Sequence, residues 1–83
     1  MSDATELARL RWACRRGMLE LDTLLTPFLE QAYTALSPVA QSAFARLLQC
    51  SDLELFCWLL RRETPADPEL QSIIGAILAH RRA

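Results

Sequence analysis

Apolar side chains recur every three or four residues through most of this chain, which is the spacing that aligns them along one face of a helix. The longest such stretch runs from about Met18 to Leu36. The positions that share its face are Met18, Leu21, Leu24, Leu25, Phe28, Leu29, Ala32 and Leu36. The alternating pattern of a half-buried strand is absent, and 83 residues suffice for one hydrophobic core. The sequence therefore predicts an all-α fold, a compact single-domain five-helix bundle over residues 1–83.

Residues with helix-capping preferences mark the ends of the first helix. Asp3, followed by Glu6 three residues later, has the pattern of a capping box. The predicted inner stripe of this helix is Leu7, Leu10 and Cys14. Gly17 comes where a left-handed residue ends a helix, and glycine adopts that conformation without a steric penalty from a Cβ atom. We therefore expect the second helix to begin directly after Gly17.

Each of the three later helices is expected to begin at a serine or aspartate, whose side chain accepts hydrogen bonds from a first turn. These starts are Ser37 before Pro38, Ser51 with Glu54 in a second capping box, and Asp67 before Pro68. Pro27 leaves two alternatives open for the second helix. It either bends one continuous helix or divides it at Thr26-Pro27.

Helical spacing also predicts which faces of the later helices are buried. The predicted inner residues are Ala40, Phe44, Leu47 and Leu48 in the third helix and Leu70, Ile73, Ile74, Ile77 and Leu78 in the fifth. In the fourth helix Leu53, Phe56, Cys57 and Leu60 line up, whereas Leu55, Trp58 and Leu59 fall elsewhere around it. A helix that is apolar on all sides is either central or leaves some surface for a partner.

The chemistry of most enzyme and metal sites is absent from the sequence. Cys14, Cys50, Cys57 and His80 lack the spacing of a metal or disulfide set, so the cysteines are interpreted as small buried hydrophobes. No nucleophile–base pattern, P-loop or dinucleotide motif is present, so no catalytic residue is expected. A net charge of −1 argues against a nucleic-acid partner. No apolar run approaches the roughly 20 residues of a membrane span, and the acidic N-terminus argues against a targeting peptide.

Two acids early in the second helix differ in their predicted surroundings. Asp22 falls at the edge of the apolar face, where a carboxylate needs an arginine or a backbone partner, and Arg11, Arg15 and Arg16 are close in sequence. Glu20 falls nearly opposite, on the side that faces water. Both acids also lie where the helix dipole favours negative charge. We therefore expect an internal role for Asp22, while Glu20 has no evident internal task.

The segment RRGMLELD places these acids in the pattern Arg-Gly-x-x-Glu-x-Asp, at Arg16, Gly17, Glu20 and Asp22. This pattern resembles the signature of the small succinate dehydrogenase assembly factors that promote covalent flavin attachment. The segments PFLEQAYTAL, FARLLQCSDLELFCWLL and PADPEL also resemble parts of that family. The likeness covers about residues 10–72, and no signature position departs from it.

The resemblance implies a chaperone-like protein of the bacterial cytoplasm that binds the flavoprotein subunit of succinate dehydrogenase. It would help join FAD to a histidine of that subunit, and the flavoprotein subunit of fumarate reductase is a second expected client. Because the covalent step belongs to the client and its flavin, no cofactor or metal of this chain's own is expected. We also expect a monomer when free, without membrane insertion or nucleic acid. The partner-binding residues implied are Arg15, Arg16, Gly17, Glu20, Asp22 and, as an extension, Trp58.

One alternative comes from another class of function. Members of this family have also been described as antitoxins of a toxin–antitoxin pair, and a small helical protein can neutralise a toxin by binding it. No residue pattern in the sequence demands a toxin as partner.

Overall fold

The computed structural model describes the backbone of residues 3–82 and the side chains of residues 5–81. Its α-helices are α1 (Asp3–Cys14), α2 (Leu19–Ala32), α3 (Pro38–Leu47), α4 (Asp52–Leu59) and α5 (Pro68–Arg82), and a short 3-10 helix covers Tyr33–Ala35. Residues 3–82 contain no β-strand. The prediction of an all-α fold with five helices is confirmed over this range.

The predicted caps form at the starts of the three later helices. The Ser37 hydroxyl accepts a hydrogen bond from the backbone N–H of Ala40 at 3.2 Å. Ser51 and Glu54 make both bonds of a capping box, at 3.1 Å and 3.0 Å. Asp67 accepts from the N–H of Glu69 at 2.8 Å. The predicted cap at Asp3 lies outside the described side chains.

Helix α2 packs against α1, α4 and α5, while α3 packs against α5, and their buried faces form one core. The core residues are Leu10, Cys14, Leu21, Leu24, Leu25, Phe28, Leu29, Tyr33, Ala43, Phe44, Leu47, Leu48, Leu55, Leu59, Leu70, Ile73, Ile74, Ile77 and Leu78. Near its centre the rings of Phe28 and Phe44 lie 5.5 Å apart. The inner faces predicted for α1, α2 and α5 are confirmed, although Leu7 in the first face and Met18, Ala32 and Leu36 in the second are only partly buried.

The structure decides between the two alternatives for Pro27, and it ends α2 earlier than predicted. Helix α2 is continuous through Pro27, so the division at Thr26-Pro27 is wrong. Leu24 and Leu25 before the proline and Phe28 and Leu29 after it are all buried, so the two halves of α2 pack on the same core. The α-helix ends at Ala32, where φ is −125°, and a 3-10 turn replaces the predicted extension to Leu36. Tyr33, the first residue of the 3-10 turn, is buried, although the predicted face did not include it.

The inner face predicted for α4 is also wrong. Leu55 and Leu59 are the buried residues of α4, whereas Leu53 is 71% exposed. Phe56, Cys57 and Leu60 are half-buried. Because α4 is short and apolar on every side, its sequence offers no polar face to set its rotation. Packing against α2 and α5 decides it instead.

Candidate docking surface at the turn between α1 and α2

The chain passes from α1 to α2 through residues 15–18, here called the α1–α2 turn. The backbone N–H of Arg15 donates to the carbonyl of Trp12 at 3.1 Å, which closes the end of α1. Gly17 then adopts φ = 77°, as expected for a left-handed residue after a helix. A Cβ atom added at Gly17 would meet no atom within 4 Å. The space over Gly17 is therefore open, so its backbone is accessible to another protein.

Exposed apolar and charged side chains surround this turn. Trp12 is 75% exposed and Leu19 is 78% exposed, and large apolar residues at the surface mark interaction sites when they lie together. The guanidinium of Arg15 lies 5.9 Å from the centre of the Trp12 ring. Glu20 is exposed, and no described residue makes an ion pair with it. The exposure of Leu19 could be predicted from the sequence, because Leu19 lies outside the apolar face predicted for α2.

Asp22 faces the other way and closes the turn from inside. It is half-buried, and its Oδ1 accepts a hydrogen bond from the backbone N–H of Arg16 at 2.8 Å. The sequence predicts either an arginine side chain or a backbone group as the partner of Asp22, and the structure shows the backbone group. A carboxylate that accepts from a backbone N–H makes a charge-assisted bond, which is stronger than a neutral one. Asp22 thus fixes the conformation of the residue before Gly17.

The side chain of Arg16 is also directed into the molecule. It is 15% exposed, and its Nη1 donates to the carbonyl of Cys50 at 3.2 Å and to Asp52 Oδ1 at 3.0 Å. Its Nη2 donates to the carbonyl of Leu48. Arg16 therefore ties the α1–α2 turn to residues 48–51, the α3–α4 turn. Sequence reasoning missed these contacts, because nothing near Arg16 indicates partners that lie more than thirty residues later.

Trp58, the predicted extension of the surface, lies near the last turn of α4. It is half-buried and packs against the core. Since Asp52 at the start of α4 contacts Arg16, Trp58 lies roughly 9 Å farther along the helix axis from that contact. The structure thus brings Arg15, Gly17 and Glu20 together at one turn and leaves Trp58 at a distance.

The remaining reactive groups belong to the core or its edge. Cys14 is buried and free, and burial raises the pKa of its thiol to about 11, so it is a thiol at neutral pH. His80 bonds to Gln31 at 2.9 Å and meets the Phe28 ring edge-on. Among the described residues, no three His, Cys, Asp or Glu side chains group as metal ligands. Within the same residues, no helix combines the length and apolar character needed to cross a membrane.

Comparison with known protein families gives a match over nearly the whole chain. Residues 8–81 match the family described as the flavinator of succinate dehydrogenase. The chain belongs to this family. All residues of the Arg-Gly-x-x-Glu-x-Asp signature lie within the matched range, so the resemblance indicated by the sequence is confirmed.

Relatives of this flavinator family member include named assembly factors. It is 46% identical to the FAD assembly factor SdhE of Pseudomonas aeruginosa over 78 residues, which cover 94% of this chain and 93% of that protein. It is 52% identical to the FAD assembly factor SdhE of Shewanella oneidensis over 68 residues, covering 82% and 83% of the two chains. These relatives give the antitoxin alternative no support.

A solved structure shares the fold of this flavinator family member. The solution structure of a UPF0350 protein superposes with a TM-score of 0.82 at 38% sequence identity. The superposition covers 99% of this chain and 87% of that one. The partner-binding roles of the six residues expected from the resemblance stay predictions, because none of these likenesses assigns a role to a residue.

Proposed function

We propose that this chain is an FAD assembly factor that binds the flavoprotein subunit of succinate dehydrogenase and promotes covalent attachment of FAD to it. The observation that carries this proposal is the match of residues 8–81 to the flavinator family. Relatives from two bacteria that are named FAD assembly factors support it, since the likeness covers most of each chain.

The client docks, in this proposal, on the outer side of the α1–α2 turn. Gly17 offers an accessible backbone, and Glu20 offers a carboxylate without an ion-pair partner among the described residues. Arg15, which lies over the exposed Trp12 ring, adds a cation and an apolar surface beside them. Asp22 contributes by holding the turn in shape, and Trp58 extends the surface along α4. A partner that fits has an apolar patch with a cation opposite Glu20.

The conformation at Gly17 does not by itself require glycine in this chain. Arg61 follows the end of α4 at φ = 63°, so a residue with a side chain occupies the same left-handed region there. Glycine at position 17 therefore has a second consequence, which is that no side chain covers the backbone of the turn. This supports a role for Gly17 in close approach by the client.

The factor would act by binding rather than by chemistry of its own side chains. It would stabilise the client conformation in which the flavin and the client histidine are placed to react, which shifts the population of client states. The covalent bond forms within the client, so we propose no catalytic residue and no cofactor for this chain. FAD would be held by the client.

Covalent flavin on the client tests the proposal directly. In a strain that lacks the gene, we expect the flavoprotein subunit of succinate dehydrogenase to be present but poorly flavinylated, as measured by flavin fluorescence in denaturing gels. The wild-type gene should restore the signal. Glu20→Ala should fail to restore it while its melting temperature stays close to wild type, because exposed substitutions typically change stability by no more than about 0.5 kcal/mol.

Glu30→Ala is the matched control for Glu20→Ala. Glu30 is an exposed acid on the same helix, roughly 15 Å from Glu20 along the axis, and its ion pair with Arg11 is long at 3.8 Å. Glu30→Ala should restore flavinylation fully. Normal covalent flavin in the deletion strain would contradict the proposed function, whereas full activity of Glu20→Ala would contradict only the docking surface.

The range and setting of the activity form part of the same proposal. We propose the flavoprotein subunit of fumarate reductase as a second client and the bacterial cytoplasm as the location. We also propose that the chain is a monomer when free. Co-purification of the tagged chain with each flavoprotein subunit tests the second client, measurement of the mass of the free chain tests the monomer, and fractionation of the cells tests the location.

A further inference from the structure

Arg16 lies in the proposed docking signature, yet its guanidinium is occupied within the chain. Its Nη1 and Nη2 atoms donate to the carbonyls of Leu48 and Cys50 and to the carboxylate of Asp52. Its Nε is buried without a hydrogen-bond partner among the described atoms. With 15% of the side chain exposed, little of this guanidinium is accessible to a partner.

The partners of Arg16 are groups for which an arginine is especially suited. Leu48 caps the end of α3, where carbonyl oxygens lack helical partners and the helix dipole is negative. Asp52 is the first residue of α4. The planar fork of a guanidinium reaches carbonyls and a carboxylate at the same time, whereas a lysine ammonium concentrates its donors at one point. Arg16 therefore joins the end of α3 to the start of α4.

The backbone of Arg16 connects the same residue to α2. Its N–H donates to Asp22 Oδ1 at 2.8 Å, and Asp22 lies in the first turn of α2. The backbone of Arg16 is thus bonded to α2, while its side chain is bonded to the end of α3 and the start of α4. Because Gly17 follows directly, the position of the exposed turn relative to α4 depends on Arg16.

We propose that Arg16 is a positioning residue for client docking, acting through Gly17 and Glu20 and making no contact between its own guanidinium and the client. This inference rests on the proposed function. It divides the signature into two parts. Gly17 and Glu20 meet the client, whereas Arg16 and Asp22 hold the turn that presents them.

Arg16→Ala and Arg15→Ala form a matched pair for the test, because the two arginines are adjacent and only Arg16 is directed inward. Hydrogen exchange of the amides of residues 16–22 is measured by NMR on the purified full chain, well below its melting temperature. In Arg16→Ala we expect the backbone amide of residue 16 to exchange at least roughly tenfold faster. The reason is that loss of the side-chain bonds to Leu48, Cys50 and Asp52, here called the Arg16 clamp, lowers the cost of local opening. Arg15→Ala should leave the exchange of the Arg16 amide unchanged.

Client affinity is measured on the same proteins with the purified flavoprotein subunit of succinate dehydrogenase. Arg16→Ala should weaken binding by about tenfold, a change of about 1.4 kcal/mol. Asp52→Ala, which removes one partner of the clamp, should weaken it less. The double variant should bind no more weakly than Arg16→Ala alone, since both changes act on one contact. Arg16→Lys should resemble Arg16→Ala.

Two results would overturn the positioning role. One is wild-type exchange of the turn amides in Arg16→Ala together with lost client binding, which indicates a direct contact. The other is full client affinity of Arg16→Ala despite a loosened turn. Failure of the wild-type chain to bind the subunit would instead contradict the proposed function, and the exchange measurement would still decide whether Arg16 holds the turn.

Discussion

Two arginines of this chain each tie a connection between helices to another part of the bundle, at different depths. Arg16, 15% exposed, reaches two carbonyls and Asp52 from the α1–α2 turn. Arg46 on α3, 41% exposed, makes ion pairs with Asp67 at 2.8 Å and with Glu69. The Arg16 side chain is largely enclosed by protein, although its partner Asp52 is 47% exposed, whereas Arg46 and both of its partners are all well exposed.

The difference teaches that similar contacts have unequal energetic consequences. Removing Arg16 would leave the carbonyls of Leu48 and Cys50 without this donor in a partly buried place, and such groups are costly when unsatisfied. Removing Arg46 would leave carboxylates that water can solvate, and exposed ion pairs contribute little to stability. The stability of the fold should therefore depend far more on Arg16, at the α1–α2 turn, than on Arg46 of α3.

Arg16→Ala should produce the largest loss of stability. We expect the free energy of unfolding to fall by roughly 2–3 kcal/mol, because the lost bonds are partly buried and charge-assisted. In a domain of this size that lowers the melting temperature by about 10 °C or more, measurable by circular dichroism. A melting temperature equal to wild type would contradict the conclusion that the Arg16 contacts stabilise the fold more than the Arg46 contacts do.

Asp22→Ala should have the next largest effect, since it removes the acceptor for the Arg16 backbone N–H. We expect a loss of roughly 1–2 kcal/mol, and client binding should weaken as well, because the turn that presents Gly17 and Glu20 loses a bond that holds it. Asp22→Asn keeps an acceptor oxygen and should lose less. Unfolding by urea for the two variants makes the comparison, and equal losses would show that the charge alone matters.

Gly17→Ala should cost about 1 kcal/mol through the left-handed backbone alone, because no atom lies near the added Cβ. Gly75 is the matched control, since it lies within α5 and its added Cβ also meets open space. Gly75→Ala should raise stability by roughly 0.5–1 kcal/mol, as expected for alanine in a helix. Changes of the same sign in both variants would contradict the role given to the turn conformation.

Arg46→Ala should have the smallest effect, and it should depend on salt and pH. The Arg46 guanidinium lowers the pKa of the Asp67 carboxyl below 3.8, chiefly through their hydrogen bond. A carboxyl with a lowered pKa stabilises the fold above its unfolded pKa, and this contribution is lost as the pH falls through the lowered value. Wild type and Arg46→Ala should therefore differ slightly at pH 7 and converge in strong acid or high salt. A loss as large as that of Arg16→Ala would break the comparison.

The capping and spacing rules were reliable where local chemistry decides the structure. Ser37, Ser51 and Asp67 make their predicted bonds, and Gly17 has its predicted left-handed backbone. These features depend on residues a few positions apart, so the sequence contains what is needed to predict them. The signature, together with the other segments that resemble the family, likewise indicated the family that the match over residues 8–81 confirms.

The face of α4 and the end of α2 could not be predicted in the same way. Leu55 and Leu59 are chosen over Leu53 because of how α4 packs on its neighbours, which no helical wheel of an all-apolar helix contains. The α-helical geometry of α2 ends at Ala32, and Tyr33 is buried in the 3-10 turn that follows. Both outcomes depend on the positions of other helices.

The candidate site shows the same division. By itself the sequence determined that residues 16–22 carry a family signature, that Glu20 faces water and that Asp22 needs an internal partner. Only the tertiary structure decided that Arg16 is directed inward, to Leu48, Cys50 and Asp52. The physical reason is distance along the chain. Caps and helix faces depend on neighbouring residues, whereas the partners of Arg16 approach it only when α3 and α4 have packed against the first two helices.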